Sequence, residues 1–151
     1  MSLQLFSARL IDLMQFNSLS KHKLADETGA QRKSVINWVE GRNYPRPNML
    51  IKLANYFRVS TDYLVGLSDT NGRGDYVCKL EYEEIQPRLI AILEDYMKCK
   101  HFTKYALSKM FGMEQSTLER WFKKGAMPEV SVLIRISEKT NKSLDYLLGR
   151  E

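Results

Sequence analysis

The chain has 151 residues, a formal net charge of +5, 44% hydrophobic and 27% charged residues. This is the composition of a globular protein, and it excludes a collagen-like or wholly disordered chain. The length allows one ordinary domain or two small ones, and no apolar run approaches the roughly 18–20 residues needed to cross a bilayer.

Five short helices are predicted in the first part of the chain. Phe6, Leu10, Leu13 and Met14 recur at helical spacing, and a break follows at Asn17-Ser18-Leu19. Ser20 is placed to cap a second helix carrying Leu24 and Ala25, which stops at Gly29. A third helix is expected from about Gln31 to Glu40, with Val35, Trp38 and Val39 available for burial and Gly41 ending it. Pro45 and Pro47 mark a loop. A fourth helix, about Asn48 to Phe57, buries Leu50, Leu53, Ala54 and Phe57. Ser60 caps a last one containing Tyr63 and Leu64 and ending at Gly66.

The same order then repeats. A shift of 83 residues aligns 1–66 with 84–149 without a gap and makes sixteen positions identical, among them Leu10 with Leu93, Leu24 with Leu107, Gly29 with Gly112, Trp38 with Trp121 and Pro45 with Pro128. Chance would give roughly three or four identities at ordinary residue usage. Helices are therefore expected near 83–100, 103–111, 114–124, 129–140 and 143–149, with Thr103 capping where Ser20 does. No convincing alternating strand run occurs in either copy. The fold class is all-α: two tandem five-helix domains at 1–67 and 83–151, joined by a short linker at 68–82. Within that linker Ser68, Asp69, Asn71, Gly72 and Gly74 are turn and loop formers.

Helix two, the turn at Gly29 and helix three make a helix-turn-helix. In such a pair the second helix can enter the major groove while the first crosses the backbone. The pattern Leu19-Ser20, Leu24-Ala25, Gly29, Val35, Trp38, Gly41, Pro45, Leu53-Ala54 and Val59-Ser60-Thr61-Asp62-Tyr63-Leu64-Val65-Gly66 resembles the lambda-repressor-like (Cro/repressor, XRE-type) DNA-binding domain over nearly all of 5–66. Residues 88–149 resemble it less closely, with Ser108 in place of Ala25 and Lys124-Gly125 shifting a glycine by one. The resemblance implies sequence-specific binding of double-stranded DNA in transcriptional control, usually by a symmetric pair of domains.

The resemblance also implies a reading surface. Gln31, Arg32, Lys33, Ser34 and Asn37 match the start and outward face of the recognition helix. Arg and Lys suit guanine O6 and N7, and Gln or Asn suits adenine N6 and N7. Ser20 and Lys21, then Arg42, Asn43, Tyr44 and Arg46, match phosphate-contacting regions. Lys21 stands where Gln is common in the family. The second copy offers Lys104, Gln115, Ser116, Arg120, Lys123 and Lys124. For Arg32 and Lys33 the plain alternative is a solvated helix face, and the surrounding pattern favours DNA. Trp38 and Trp121 fall on the inward face, and Tyr63 and Tyr146 are expected as core anchors with a wet hydroxyl.

Charge separates the copies. Residues 30–46 hold Arg32, Lys33, Arg42 and Arg46 against Glu40, a balance of +3. Residues 113–129 hold Arg120, Lys123 and Lys124 against Glu114, Glu119 and Glu129, a balance of zero. Glu114 and Glu119 are expected near the groove face, repelling phosphate, although Glu can accept from cytosine N4. Copy one is thus expected to be the main DNA reader.

Other chemistry is sparse. Cys78 and Cys99 form no Cys-x-x-Cys pair, so neither a disulfide framework nor a zinc site is expected. His22 and His101 are isolated, and Arg73-Gly74-Asp75 is a tripeptide in the linker. No phosphate loop, His-Glu-x-x-His or Ser/His/Asp set is present, and no enzyme activity, cofactor or metal is expected. The opening Met1-Ser2-Leu3-Gln4-Leu5-Phe6 lacks the charged start and apolar core of a signal peptide. A cytoplasmic transcriptional regulator of the repressor kind is the leading expectation, with a homodimer compatible and no membrane partner. The competing one is a protein-interaction module, antitoxin-like or regulatory, in which residues 83–151 engage a protein and DNA affinity is weak.

Overall fold

The computed structural model describes residues 2–70 and 80–150. Among them are ten helices and no strand. The first copy contains α1 (Ser2–Phe16), α2 (Lys21–Thr28), α3 (Arg32–Val39), α4 (Pro47–Phe57) and α5 (Thr61–Val65). The second contains α6 (Tyr82–Lys100), α7 (Lys104–Met110), α8 (Gln115–Lys124), α9 (Val130–Thr140) and α10 (Leu144–Leu147). The chain divides into two compact units between residues 77 and 78, inside the stretch 71–79 that lies outside the described residues. Cys78, Tyr76 and Arg73-Gly74-Asp75 also fall there, as does most of the expected linker.

Local chemistry starts the helices. The Ser20 hydroxyl accepts from the Lys23 amide at 3.1 Å, Ser60 from Tyr63 at 2.9 Å, Thr103 from Ala106 at 3.1 Å and Ser143 from Tyr146 at 3.0 Å. Each satisfies one of the amides that a helix start leaves open. Glu81 and Glu84 form a reciprocal capping box at the start of α6.

The stops recur with the repeat. Left-handed residues occur at Ser18 and His101, Gly29 and Gly112, Arg58 and Asn141, and Gly66 and Gly149, every pair 83 apart. After α1 the Leu19 amide donates to the Met14 carbonyl at 2.8 Å, and after α6 the Phe102 amide donates to Met97 at 2.9 Å. This six-to-one bond closes a helix when the residue before it turns left-handed. The exception to the spacing is Gly41 against Gly125. α8 is ten residues long where α3 is eight, so its closing glycine comes one position later. α10 covers four residues, shorter than the expected 143–149, because Leu148 and Gly149 already form the turn after it.

In copy one α1 packs on α3 and α5, α2 on α3 and α4, and α4 on α5. Phe6, Leu10, Leu24, Val35, Leu50, Leu53 and Leu64 are fully enclosed, with Trp38 only 3% exposed. Leu89, Leu93, Leu107, Leu118, Leu133, Ile136 and Leu147 fill the second core, with Trp121 4% exposed. The large phenyl ring changes helix between the copies. Phe6 on α1 and Thr28 on α2 correspond in the repeat to Leu89 on α6 and Phe111 after α7, and all four are buried.

Neither tyrosine is fully enclosed. Tyr63 is half-buried and Tyr146 is 36% exposed. Each ring instead carries a cation on its face: Arg9 lies 4.2 Å from the Tyr63 centroid, and Arg88 lies 4.7 Å from that of Tyr146. Arg9 also donates to the carbonyl of Tyr63 and, at 2.7 Å, to that of Ser68, tying α1 to the end of α5.

Truncating Trp38 or Trp121 to Ala should cost about 3–5 kcal/mol in denaturant unfolding, the range for a large buried aromatic. A change within experimental error would remove either indole from the core. Two glycines should separate strain from overlap. A Cβ on Gly29 meets nothing within 4 Å, whereas one on Gly66 lies 2.6 Å from Leu5 Cδ2. Gly29→Ala should therefore cost about 1–2 kcal/mol from the left-handed backbone alone. Gly66→Ala should cost more, and Leu5→Ala in the same chain should recover part of the difference.

Candidate nucleic-acid interface

The turn between α2 and α3 is set by Gly29 at φ +74 and by Gln31, extended at φ −73 and ψ 142, as the N-cap of α3. Gln31 makes no side-chain cap bond, so its amide group stays available at the surface. Val35 and Trp38 point into the core. Arg32 and Lys33 then lie exposed on the opposite face, with no ion-pair partner among the described residues. Ser34 and Asn37 sit half-buried at the margins of that face.

The surrounding loops differ in how free their groups are. Lys21, Asn43 and Arg46 are exposed. Ser20 is exposed too, but its oxygen serves the α2 cap. Arg42 folds back to Glu40 at 2.7 Å and reaches the Asn37 Oδ1 at 3.4 Å. Tyr44 is half-buried, its ring tilted against Phe6 at 5.6 Å between centroids.

The equivalent face of the second copy is built differently. Gln115, Ser116, Arg120 and Lys124 are exposed, and the Ser116 hydroxyl points to Glu114 at 3.4 Å. Glu119 is half-buried between two lysines, with Lys123 Nζ at 3.1 Å and Lys104 Nζ at 3.7 Å. Lys104 also lies over the Phe122 ring at 4.9 Å. Glu119 thus offsets the charge of two of the second copy's candidate cations, Lys104 and Lys123.

A profile of the helix-turn-helix family matches residues 17–64 and again 93–147. The chain belongs to the helix-turn-helix family. The type is the XRE, or lambda-repressor-like, one, present in two copies. Neither curated proteins nor solved structures give a match. This family membership makes the chain a DNA-binding protein of the transcription-regulator type. No helix among the described residues is long and apolar enough to cross a membrane, and no cluster of His, Cys, Asp and Glu among them could hold a metal ion.

One residue of this face escaped the sequence reading. Ile36 is 37% exposed and lies one turn after Arg32, in line with Glu40. An isoleucine in an amphipathic helix reads as core, but it is one residue past the buried Val35, about 100° further round the helix. Its counterpart 83 residues on is Glu119.

The Glu119 clamp has a pH signature. The hydrogen bond from Lys123 holds the Glu119 carboxyl below its ordinary value. Desolvation acts against this, and the charges of Lys104 and Lys123 add to the lowering. A carboxyl lowered in the folded state keeps its stabilising contact above the unfolded value and loses it as pH falls through the folded one. In a carbon-detected NMR titration Lys123→Ala should raise the Glu119 midpoint, and Lys104→Ala should raise it less. An unmoved midpoint in Lys123→Ala would dissolve the clamp.

Proposed function

We propose that this chain is a transcriptional repressor whose first copy is the main reader of duplex DNA. The observation that carries this is the contrast between the two faces. Lys21, Arg32, Lys33 and Arg46 stand exposed with no acidic partner among the described residues on one, while Glu119 engages Lys104 and Lys123 on the other. In this reading Arg32 and Lys33 address guanine, Gln31 and Asn37 address adenine, and Ser34 supports them at the base edges. Ser20, Lys21, Arg42, Asn43, Tyr44 and Arg46 hold phosphate, which positions the helix without reading sequence. Arg42 must leave Glu40 to do so. Both side chains are exposed, and such a surface pair contributes about 0–1 kcal/mol, so the exchange is inexpensive.

Repression needs only occupancy of a site that the transcription machinery must cross. A homodimer reading through copy one places two recognition helices about one helical turn apart, roughly 34–36 Å, on a palindrome. Copy two then serves as a contact domain or a weaker reader through Gln115, Ser116, Arg120 and Lys124. A cytoplasmic location follows from this role. The neutralised lysines of copy two also favour a second reading, in which residues 83–151 bind a protein partner.

Selection of bound sites from random duplex DNA, followed by titration against salt, tests the proposal. Arg32→Ala should cost roughly 1–3 kcal/mol on the selected site and relax the preference at one base pair. Arg46→Ala should weaken all sequences alike and flatten the slope of log affinity against log salt by about 0.9. Binding unaltered by both changes would move the interface elsewhere, and no salt-dependent duplex binding would leave the protein-interaction reading.

A further inference from the structure

We propose that Ile36 is a specificity-determining residue that reads the 5-methyl group of a thymine in the major groove. This rests on the reading of α3 as the DNA-contacting helix. Ile36 is 37% exposed, and its neighbours on the outward face are Arg32, Lys33, Asn37 and Glu40, all polar or charged. A single exposed apolar side chain needs no explanation by itself; the position of this one does. It sits midway along the exposed stripe, one turn from Arg32 and one turn from Glu40.

The second copy removes a packing explanation. The matching position holds Glu119, a carboxylate engaged by Lys104 and Lys123. The fold therefore accepts a charge here, and an isoleucine is not required to complete the core. What an isoleucine supplies instead is an apolar tip on a face otherwise made of hydrogen-bonding groups. Among the groups that base pairs present in the major groove, the thymine 5-methyl is the apolar one. Burying it against Ile36 removes both from water, and a polar residue at this place would leave that methyl unpaired.

Geometry places the thymine. Residues four apart on a helix have Cβ atoms about 5–6 Å apart, and base steps along one strand are about 3.4 Å. Ile36 and Arg32 thus address base pairs one or two steps apart, so the thymine lies next to, or one removed from, the pair that Arg32 reads.

The test uses the full chain and the duplex site selected from random DNA. Each thymine is replaced in turn by deoxyuridine, which lacks only the methyl. The unaltered protein should lose about fourfold in affinity at one thymine per half-site, the factor for one methyl-sized group left in water. Ile36→Ala should bind the methylated site about fourfold more weakly and be indifferent to that replacement, while Ile36→Val keeps the dependence. Full indifference of the unaltered protein to every replacement, with steep salt-dependent binding retained, overturns the inference and leaves the DNA-reading proposal standing. So does a selected site with no thymine within two steps of the pair relaxed by Arg32→Ala, or an unchanged methyl dependence in Ile36→Ala. Absence of duplex binding overturns both. Where Ile36→Ala loses its fold, Ile36→Glu, the residue that the second copy carries at this position, takes its place in the same comparison and should likewise be indifferent to the replacement.

Discussion

The rotation of α3 about its own axis is set by two buried side chains, Val35 and Trp38, and everything its outward face can touch depends on that rotation. Residues advance about 100° around a helix, so enclosing those two turns Arg32, Lys33 and Ile36 outward and leaves Ser34 and Asn37 at the margins. Leu118 and Trp121 impose the same rotation on α8. The two recognition helices are thus oriented within their own domains by the same constraint while carrying different chemistry. One presents Arg32 and Lys33, unpaired among the described residues, and an isoleucine; the other presents a carboxylate closed between lysines. A tryptophan suits this role because one side chain buries a large area and anchors the helix against its neighbours.

Divergence between the copies follows a physical rule: volume and backbone stops are kept, and polarity is free to change. A buried phenyl ring stands at Phe6 in the first copy and at Phe111 in the second, with Leu89 and Thr28 buried at the matching positions, a swap that conserves volume in each core. The left-handed stops recur every 83 residues even where no glycine stands, at Ser18, His101, Arg58 and Asn141. At the last turn the copies part. Asp145 is paired with Arg150 at 2.5 Å, both side chains almost wholly buried, where the counterpart of Arg150 is Leu67. A buried pair of this kind carries a desolvation cost that an apolar residue does not, and breaking it leaves an uncompensated charge.

Among the described residues one slip in register occurs, beside the candidate interface. α3 ends at Val39, and the loop from Gly41 presents Arg42, Asn43 and Arg46. α8 runs on to Lys124 before Gly125 turns left-handed. Its cations, Lys123 and Lys124, therefore sit in the last helical turn, where the partial negative charge of the helix end favours them. The second copy spends basic residues on its own helix where the first offers them on a loop.

The all-α class, the duplication and the helix-turn-helix were legible in the residues themselves. Helical spacing, caps such as Ser20 and Thr103, and the stop at Gly29 are local signals, and the repeat doubles each of them. Family membership could be read from the same pattern, since Leu24, Gly29, Val35 and Trp38 carry the motif. The roles of individual polar groups were not legible, because they depend on which side chains meet. Only the tertiary structure places Arg9 and Arg88 over the rings of Tyr63 and Tyr146, and it sets Glu119 between Lys104 and Lys123. It also shows Ile36, to which the sequence reading gave no role, exposed beside Arg32. Local sequence sets where helices begin and end; the contacts between side chains far apart in sequence, such as Arg9 with Tyr63, exist only once the helices have packed.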